Sequence, residues 1–337
     1  MSSFYSEYLE SSIKMKKYQN VCIQSLITFA FCFLMVCQFP AMAQSQDESR
    51  RGALPNQILD SRSLSMAGTT IADLYGRPSI GINSALSGLF DNPNTIQFNS
   101  NYNWDTNRML HDLTLPTFYS DNHHITARFG LLHKGFDNLP FTNPSSATVA
   151  DLTMFRGEFA YSYAISNHFS LGTLQSVSYT MGGEEAQFWN YFADVGLVYA
   201  PDGPVSYGLV FRGLGHKTTY EIIETGQTTL DSRLARQIIE IGATFRFPIE
   251  ERTWLSISFA NEKRFGEDGS WYKGSFEIIP FSFIEVRAGA MVNFDQLLFI
   301  PRIGLGINVG EFRIDYMVAP EKLIGEQFHQ IGLTYQL

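Results

Sequence analysis

From Asn94 to the C-terminus the chain alternates apolar and polar residues with a period of two. That is the signature of strands whose successive side chains point to opposite faces. Reading the period predicts fourteen strands, near 94–104, 109–118, 122–134, 155–165, 168–181, 188–200, 204–214, 237–247, 253–263, 271–279, 283–293, 298–309, 311–318 and 328–337. Each sorts into an apolar row and a mixed row. Ile96, Phe98, Tyr102 and Trp104 stand against Gln97, Asn99, Asn101 and Asn103, and Trp189, Tyr191, Val195, Leu197 and Tyr199 against Asn190 and Asp194. Val205, Tyr207, Leu209 and Phe211 oppose Ser206, Gly208 and Arg212, and Ile284, Val286, Ala288, Ala290 and Val292 oppose Glu285 and Arg287.

Alternation alone fits a soluble sandwich as well as a membrane barrel. Three features favour the barrel. Many runs are as long as the roughly 9–11 residues that a tilted strand needs to cross a bilayer, beyond the soluble mode of about 5–6. Short connections at 119–121, 166–167, 201–203, 248–252, 280–282 and Gly310 alternate with mostly longer polar ones at 135–154, 182–187, 215–236, 264–270, 294–297 and 319–327. Aromatics near strand ends on the apolar row (Tyr163, Tyr179, Trp189, Tyr199, Trp254, Tyr316, Tyr335) suit interfacial girdles. The expectation is an all-β chain, an antiparallel transmembrane β-barrel of about 14 strands over 94–337 with lipid outside. Its water-side row then carries Arg128, Arg156, Glu158, Asp194, Arg212, Glu240, Arg246, Glu285, Arg287, Arg302, Arg313 and Asp315. With both signs present, these charges read as a salt-bridge lattice that stiffens the wall, or as a selectivity lining for a passing solute.

The first 43 residues follow a different pattern. Lys14, Lys16 and Lys17 precede an apolar run from Val21 to Cys37, and Ala41-Met42-Ala43 gives a small-x-small cleavage site, so 1–43 reads as a secretory signal peptide, with Met1 or Met15 as its start. All three cysteines lie inside it. The mature chain therefore has no thiol for a disulfide, a metal or a nucleophile. Without 1–43 the net charge is -10, which argues against a nucleic-acid groove. An export signal on a barrel points to the bacterial outer membrane, whose lipids are its first partners. An even strand count puts both barrel ends with the short turns, on the periplasmic side. Fourteen strands enclose more space than their own side chains fill. Residues 44–93, which lack sustained alternation, are the candidate hatch or plug.

The segment Ser61 to Ile96 resembles the small-residue opening and "Asn-Pro-Ala" element of the superfamily that joins FadL-type fatty-acid transporters with PorV/PorQ-type barrels of the type IX secretion system. The residues that carry it are Arg62, Leu64, Met66, Gly68, Ala72, Asn92 and Pro93. Phe192 to Gly215 is similar to a PorV/PorQ signature through Asp194, Gly196, Tyr199, Gly208, Leu209, Leu214 and Gly215. The chain departs from the family at Ser65 and Ala67, where glycines are common, and at Asn94-Thr95. The resemblance implies an N-terminal hatch and one of two non-enzymatic roles. A PorV/PorQ-type member serves protein secretion by binding secretion subunits or exported proteins; a FadL-type member passes hydrophobic small molecules. The second stretch favours the PorV/PorQ role, and a diffusive porin is disfavoured by the plug.

Enzymatic signals are weak. His168-x-Ser170 shares one strand face but sits at a turn, without a visible base and orienter. His123-His124 points to opposite faces, so it is a poor metal pair. Glu184-Glu185 and the 261–271 loop read as solvated tips. No nucleotide loop or metalloprotease motif is present, and no cofactor is expected.

Overall fold

The computed structural model describes residues 60–74, 79–90, 94–103, 108–134, 153–182, 186–224, 227–234, 237–250, 253–267, 269–281, 283–321 and 326–337. The expected signal peptide, residues 44–59, and Asn92 and Pro93 of the hatch motif lie outside them. Sixteen strands follow a short helix α1 (Ser61–Ser65) and two 3-10 turns (Thr70–Ala72, Ser84–Leu89). They are β1 (Thr95–Asn103), β2 (Arg108–Thr114), β3 (Phe118–Ser120), β4 (His123–Lys134), β5 (Thr153–Ser166), β6 (Phe169–Gly182), β7 (Ala186–Tyr199), β8 (Val205–Glu224), β9 (Gln227–Leu234), β10 (Ile238–Glu250), β11 (Thr253–Arg264), β12 (Trp271–Phe281), β13 (Ile284–Asn293), β14 (Leu298–Val309), β15 (Phe312–Glu321) and β16 (Glu326–Gln336).

Two of the sixteen are not staves of the wall. β3 pairs only with β4, continuing the line of β2 after a break at 115–117, and β9 pairs only with β8. The other fourteen form a closed antiparallel barrel, sealed where β1 meets β16 and where β8 meets β10. Closure leaves no edge among these fourteen staves, so each finds a backbone partner on both sides. Leu337 donates its N–H to the Asn94 carbonyl at 3.0 Å, which ties both barrel ends together on the side of the short turns.

The two rows face as the period of two requires. In β14 and β15, Ile303, Leu305, Ile307, Phe312, Ile314 and Tyr316 are exposed outwards, whereas Arg313 and Asp315 are buried inwards. Glu311 belongs to neither row: with Gly310 it forms the two-residue turn between Val309 and Phe312, and Gly310 takes the positive φ that such a turn needs.

Two sequence expectations change. Residues 215–236 form no polar loop; β8 runs on to Glu224 and folds back through β9, in register from Lys217↔Leu234 to Glu224↔Gln227. Lys217 to Ile222 of this hairpin still pair with Tyr191 to Ala186 of β7, and its Thr and Ile content favours the extended chain. Trp254 does not join the outer girdle. The pairs Arg246↔Ser256 and Pro248↔Trp254 put it on the inward parity, where its ring lies 4.0 Å under the Arg246 guanidinium.

Candidate functional site

Residues 60–74 and 79–90 occupy the lumen. Helix α1 packs on β13 to β16, the 3-10 turn 70–72 on β8 and β10, and the 3-10 turn 84–89 on β4 to β7. Local signals explain the entry: Asp60 caps α1 by accepting from the Ser63 N–H at 2.9 Å, and Asn83 caps the second 3-10 turn through the Ala85 N–H at 3.1 Å. Asn83 also donates to the carbonyls of Ile71 and Leu197, which joins both halves of the hatch to β7.

The wall receives this segment on inward-facing glycines. A Cβ at Gly172 would lie within 3.0 Å of the Ala85 backbone, one at Gly208 within 3.0 Å of Ile71, and one at Gly289 within 3.0 Å of Met66 and Ala67. At Gly304 the space is filled by the Ser65 side chain. Hatch backbone therefore touches wall backbone around the ring, an approach that only residues lacking a side chain permit. Small apolar clusters fill the rest: Ile71, Ala72 and Ile82 with Val210 and Ala260, and Ala85 and Leu86 with Val198.

Charges supply the second attachment. Arg62 of α1 donates Nε to Glu277 Oε1 (2.9 Å) and Nη2 to Glu277 Oε2 (2.5 Å), and also meets Asp73 at 2.5 Å. Burial works against its charge, but Asp73 and Glu277 outweigh burial and raise its pKa above the ordinary arginine range. Glu277 is shared with Arg287, a fully buried guanidinium that also pairs with Asp315 at 2.7 Å and with Glu285. Arg313 closes this set through Asp315 at 2.9 Å and Glu285 at 2.8 Å. Three cations thus face four carboxylates across β12, β13, β15 and the hatch.

A second set centres on Arg212. Its Nη1 and Nη2 donate to the hatch carbonyls of Gly81 (3.1 Å) and Ile82 (2.6 Å), and Nη2 also meets Glu240 at 2.9 Å. Lys273 bridges Glu240 (2.7 Å) and Glu262 (2.5 Å). Asp194 lies 3.7 Å from Arg212 and accepts the Gly213 N–H at 2.9 Å. This bond fills a place where the β7–β8 register slips twice, with Gly213 at φ 72°. Such a bulge re-aims a side chain; here it turns Arg212 onto the hatch. A third set, Arg128 and Arg156 on Glu158, lies within β4 and β5, with Arg156 also donating to Ser176 and stacking 4.8 Å over Phe192.

Of the candidate lumen residues, ten are buried among these three sets, and two are half-buried: Arg246 over Trp254, and Arg302, which donates to the Leu64 carbonyl at 3.2 Å. Asp73, Glu262, Lys273 and Glu277 belong to the same network and escaped the sequence reading. Lys273, Ser275 and Glu277 do alternate with Tyr272, Gly274 and Phe276, but Trp271 begins the inward row and blurs the contrast. In the hatch motif Met66 is fully buried, Leu64 packs against the Ile71 cluster, and Gly68 takes φ 72°.

The weaker candidates have ordinary partners. His168 is exposed and its Nδ1 lies 3.0 Å from the Ala200 carbonyl, whereas Ser170 is buried and donates to the Tyr163 carbonyl. His123 pairs with the Tyr161 hydroxyl at 2.7 Å. Lys263 closes the 261–271 loop on the carbonyls of Glu267 and Gly269. Glu184 and Glu185 lie outside the described residues, among which no group of three metal-ligating side chains occurs.

A depression of about 410 Å³ opens on the outer face of the wall, not between hatch and wall. Phe129, Phe155, Gly157, Val177, Tyr179 and Trp189 line it, together with Gly130 and Arg156.

No family model and no curated relative matches the chain. Solved structures do. The CymD monoaromatic hydrocarbon channel aligns with a TM-score of 0.55 at 10% identity, over 83% of this chain and 97% of that one. The toluene transporter TbuX of Ralstonia pickettii gives 0.53 at 11%, over 84% and 99%. The toluene transporter TodX of Pseudomonas putida gives 0.50 at 12%, over 82% and 97%. At such identities the likeness is one of fold, a closed antiparallel barrel of fourteen strands.

Proposed function

We propose that this chain is exported through a cleaved signal peptide to the bacterial outer membrane and there passes hydrophobic small molecules across the wall, without enzymatic chemistry. The observation that carries this reading is the correspondence of fold over nearly the whole length of three proteins described as hydrocarbon channels or toluene transporters. The lumen supports it too. Among the described residues, most of its charges are spent on one another and on the hatch, which disfavours a polar or ionic solute.

The secretion role expected from the Phe192 to Gly215 signature has less behind it. Asp194, Arg212 and Gly213 in that stretch have a duty within this barrel itself, since they build the bulge that grips Gly81 and Ile82. Likeness to hydrocarbon channels therefore weighs for passage over PorV/PorQ-type service to exported proteins. The test is uptake: a strain lacking the gene takes up labelled toluene or long-chain fatty acid more slowly, and re-expression restores the rate. Unchanged uptake together with loss of other surface-exported proteins would overturn passage in favour of secretion.

A further inference from the structure

The strand glycines of this barrel fall into classes. Gly172, Gly208, Gly242, Gly289 and Gly304 face inwards, and the hatch or a neighbouring strand leaves no room for a side chain. Gly274 faces outwards on β12, and its cross-strand partner Phe259 covers it at ordinary contact distance, 3.7 Å. Gly157 fits neither class. It sits in mid-strand on the outward row of β5, between Phe155 and Phe159, and a Cβ there would meet nothing within 4 Å. Its φ is not among the positive ones, so the backbone does not demand glycine. Its partners Phe129 and Val177 stand beside the gap without closing it.

Glycine weakens a strand interior, and where it persists something usually approaches the bare backbone closely. Among the described residues nothing does. The gap is the floor of the 410 Å³ depression, whose sides are the rings of Phe129, Phe155, Tyr179 and Trp189. The Tyr179 and Trp189 rings meet tilted, with centroids 4.6 Å apart, at the end of the wall that carries the long loops. The wall here is continuous, with β4–β5 and β5–β6 pairing unbroken across Gly157, so the depression is a blind seat and not a hole. It opens on the row that faces hydrocarbon, and a seat with so little polar lining is filled there by hydrocarbon.

We propose that the Gly157 depression holds one acyl chain of a lipid from the leaflet on the long-loop side. The chain lies against the bare β5 backbone, flanked by Phe129, Phe155 and Trp189. The proposal rests on the barrel spanning a membrane, and does not depend on what passes through it.

Trp189 reports occupancy directly. The full mature chain is placed in phosphatidylcholine vesicles with a rising fraction of lipid bearing a dibrominated acyl chain, and the Trp189 signal is taken as the difference between wild type and Trp189→Phe. A seated chain quenches Trp189 at lower brominated fractions than random annular contact allows. Gly157→Leu fills the floor and removes that excess quenching, while a heat-modifiable electrophoretic shift shows the barrel intact. Val177→Trp fills the same space from β6 and serves if the first variant fails to fold. Quenching that follows the bulk lipid fraction in wild type, or an excess that survives both fillings, overturns the seat. Displacement of the excess by added toluene but not by unbrominated lipid would also overturn it, in favour of a solute site. Loss of the excess with toluene uptake unchanged separates this result from the fate of the transport reading.

Discussion

The two ends of the hatch are fastened by different physics. Residues 60–74 and 79–82 rest on wall glycines too but are also tied by charge: Arg62 to Glu277 and Asp73, and the Gly81 and Ile82 carbonyls to Arg212. Residues 84–89 contain no charged side chain and are seated by shape alone, with Ala85 against Gly172, Gly88 against Ser170, and Leu86 beside Val198. A buried ion pair contributes little net stability, yet removal of one partner is costly because the other is left charged in a dry site. Seating by glycine is cheap to keep and sensitive to added volume. The half that carries charges therefore sets where the hatch lies, and the half seated by shape alone sets how closely it seals.

Breaking the charged half has the largest expected effect. Arg62→Ala leaves Glu277 and Asp73 without their hatch partner and should cost about 3–5 kcal/mol in urea unfolding followed in detergent. Arg62→Lys recovers part of the loss, since an ammonium cannot make the two-pronged contact with Glu277. A double-mutant cycle with Glu277→Gln should show strong coupling. If Arg62→Ala unfolds at the wild-type midpoint, the charged anchor is dispensable and the contrast between the two halves fails.

The seated half is tested by adding volume where the charged half is tested by taking it away. Gly172→Val drives a side chain into the Ala85 backbone and should cost about 3 kcal/mol or displace the 84–89 turn. Displacement would be read as new protease cuts between 79 and 90 with the barrel still heat-modifiable, and as a higher conductance in planar bilayers. Asp194→Ala is milder, at about 2 kcal/mol, since it strips the Gly213 N–H of its acceptor and Arg212 of a carboxylate neighbour. Its specific mark is looser protection of Gly81 and Ile82, with that of Ala85 unchanged.

The wall was legible in the sequence because one physical rule repeats along it. Alternation located all fourteen staves, and the short and long connections located their ends. Where polar and charged residues interrupt the alternation the rule falls silent, which is why the β8–β9 hairpin read as a loop. The lumen was half legible: charges on the inward row stand out against an apolar outer row, but which carboxylate meets which guanidinium depends on strand stagger and on the hatch, neither of which leaves a periodic trace. The glycines at 172, 208, 289 and 304 were hidden for the same reason, since a seat is visible only once its occupant is in place. At Gly157 the occupant is not protein at all.

Ala67 offers the finest probe of the comparison. It lies in the charged half but at a position shaped like the seated half. Its φ is 55°, a conformation that costs an ordinary L-residue about 1–2 kcal/mol. Its methyl packs with Trp271 and Met291. Ala67→Gly relieves the backbone, frees the unfolded chain by about 0.4–1 kcal/mol, and gives up a buried methyl worth about 0.8 kcal/mol. These terms oppose one another, so the unfolding midpoint should move by less than about 1 kcal/mol, and Ala67→Val should destabilise because a β-branched residue resists that φ. A large loss in Ala67→Gly would mean that the Trp271 and Met291 contact, not the Arg62 anchor, fixes this end of the hatch. It would also move the whole segment into the class that is held by shape.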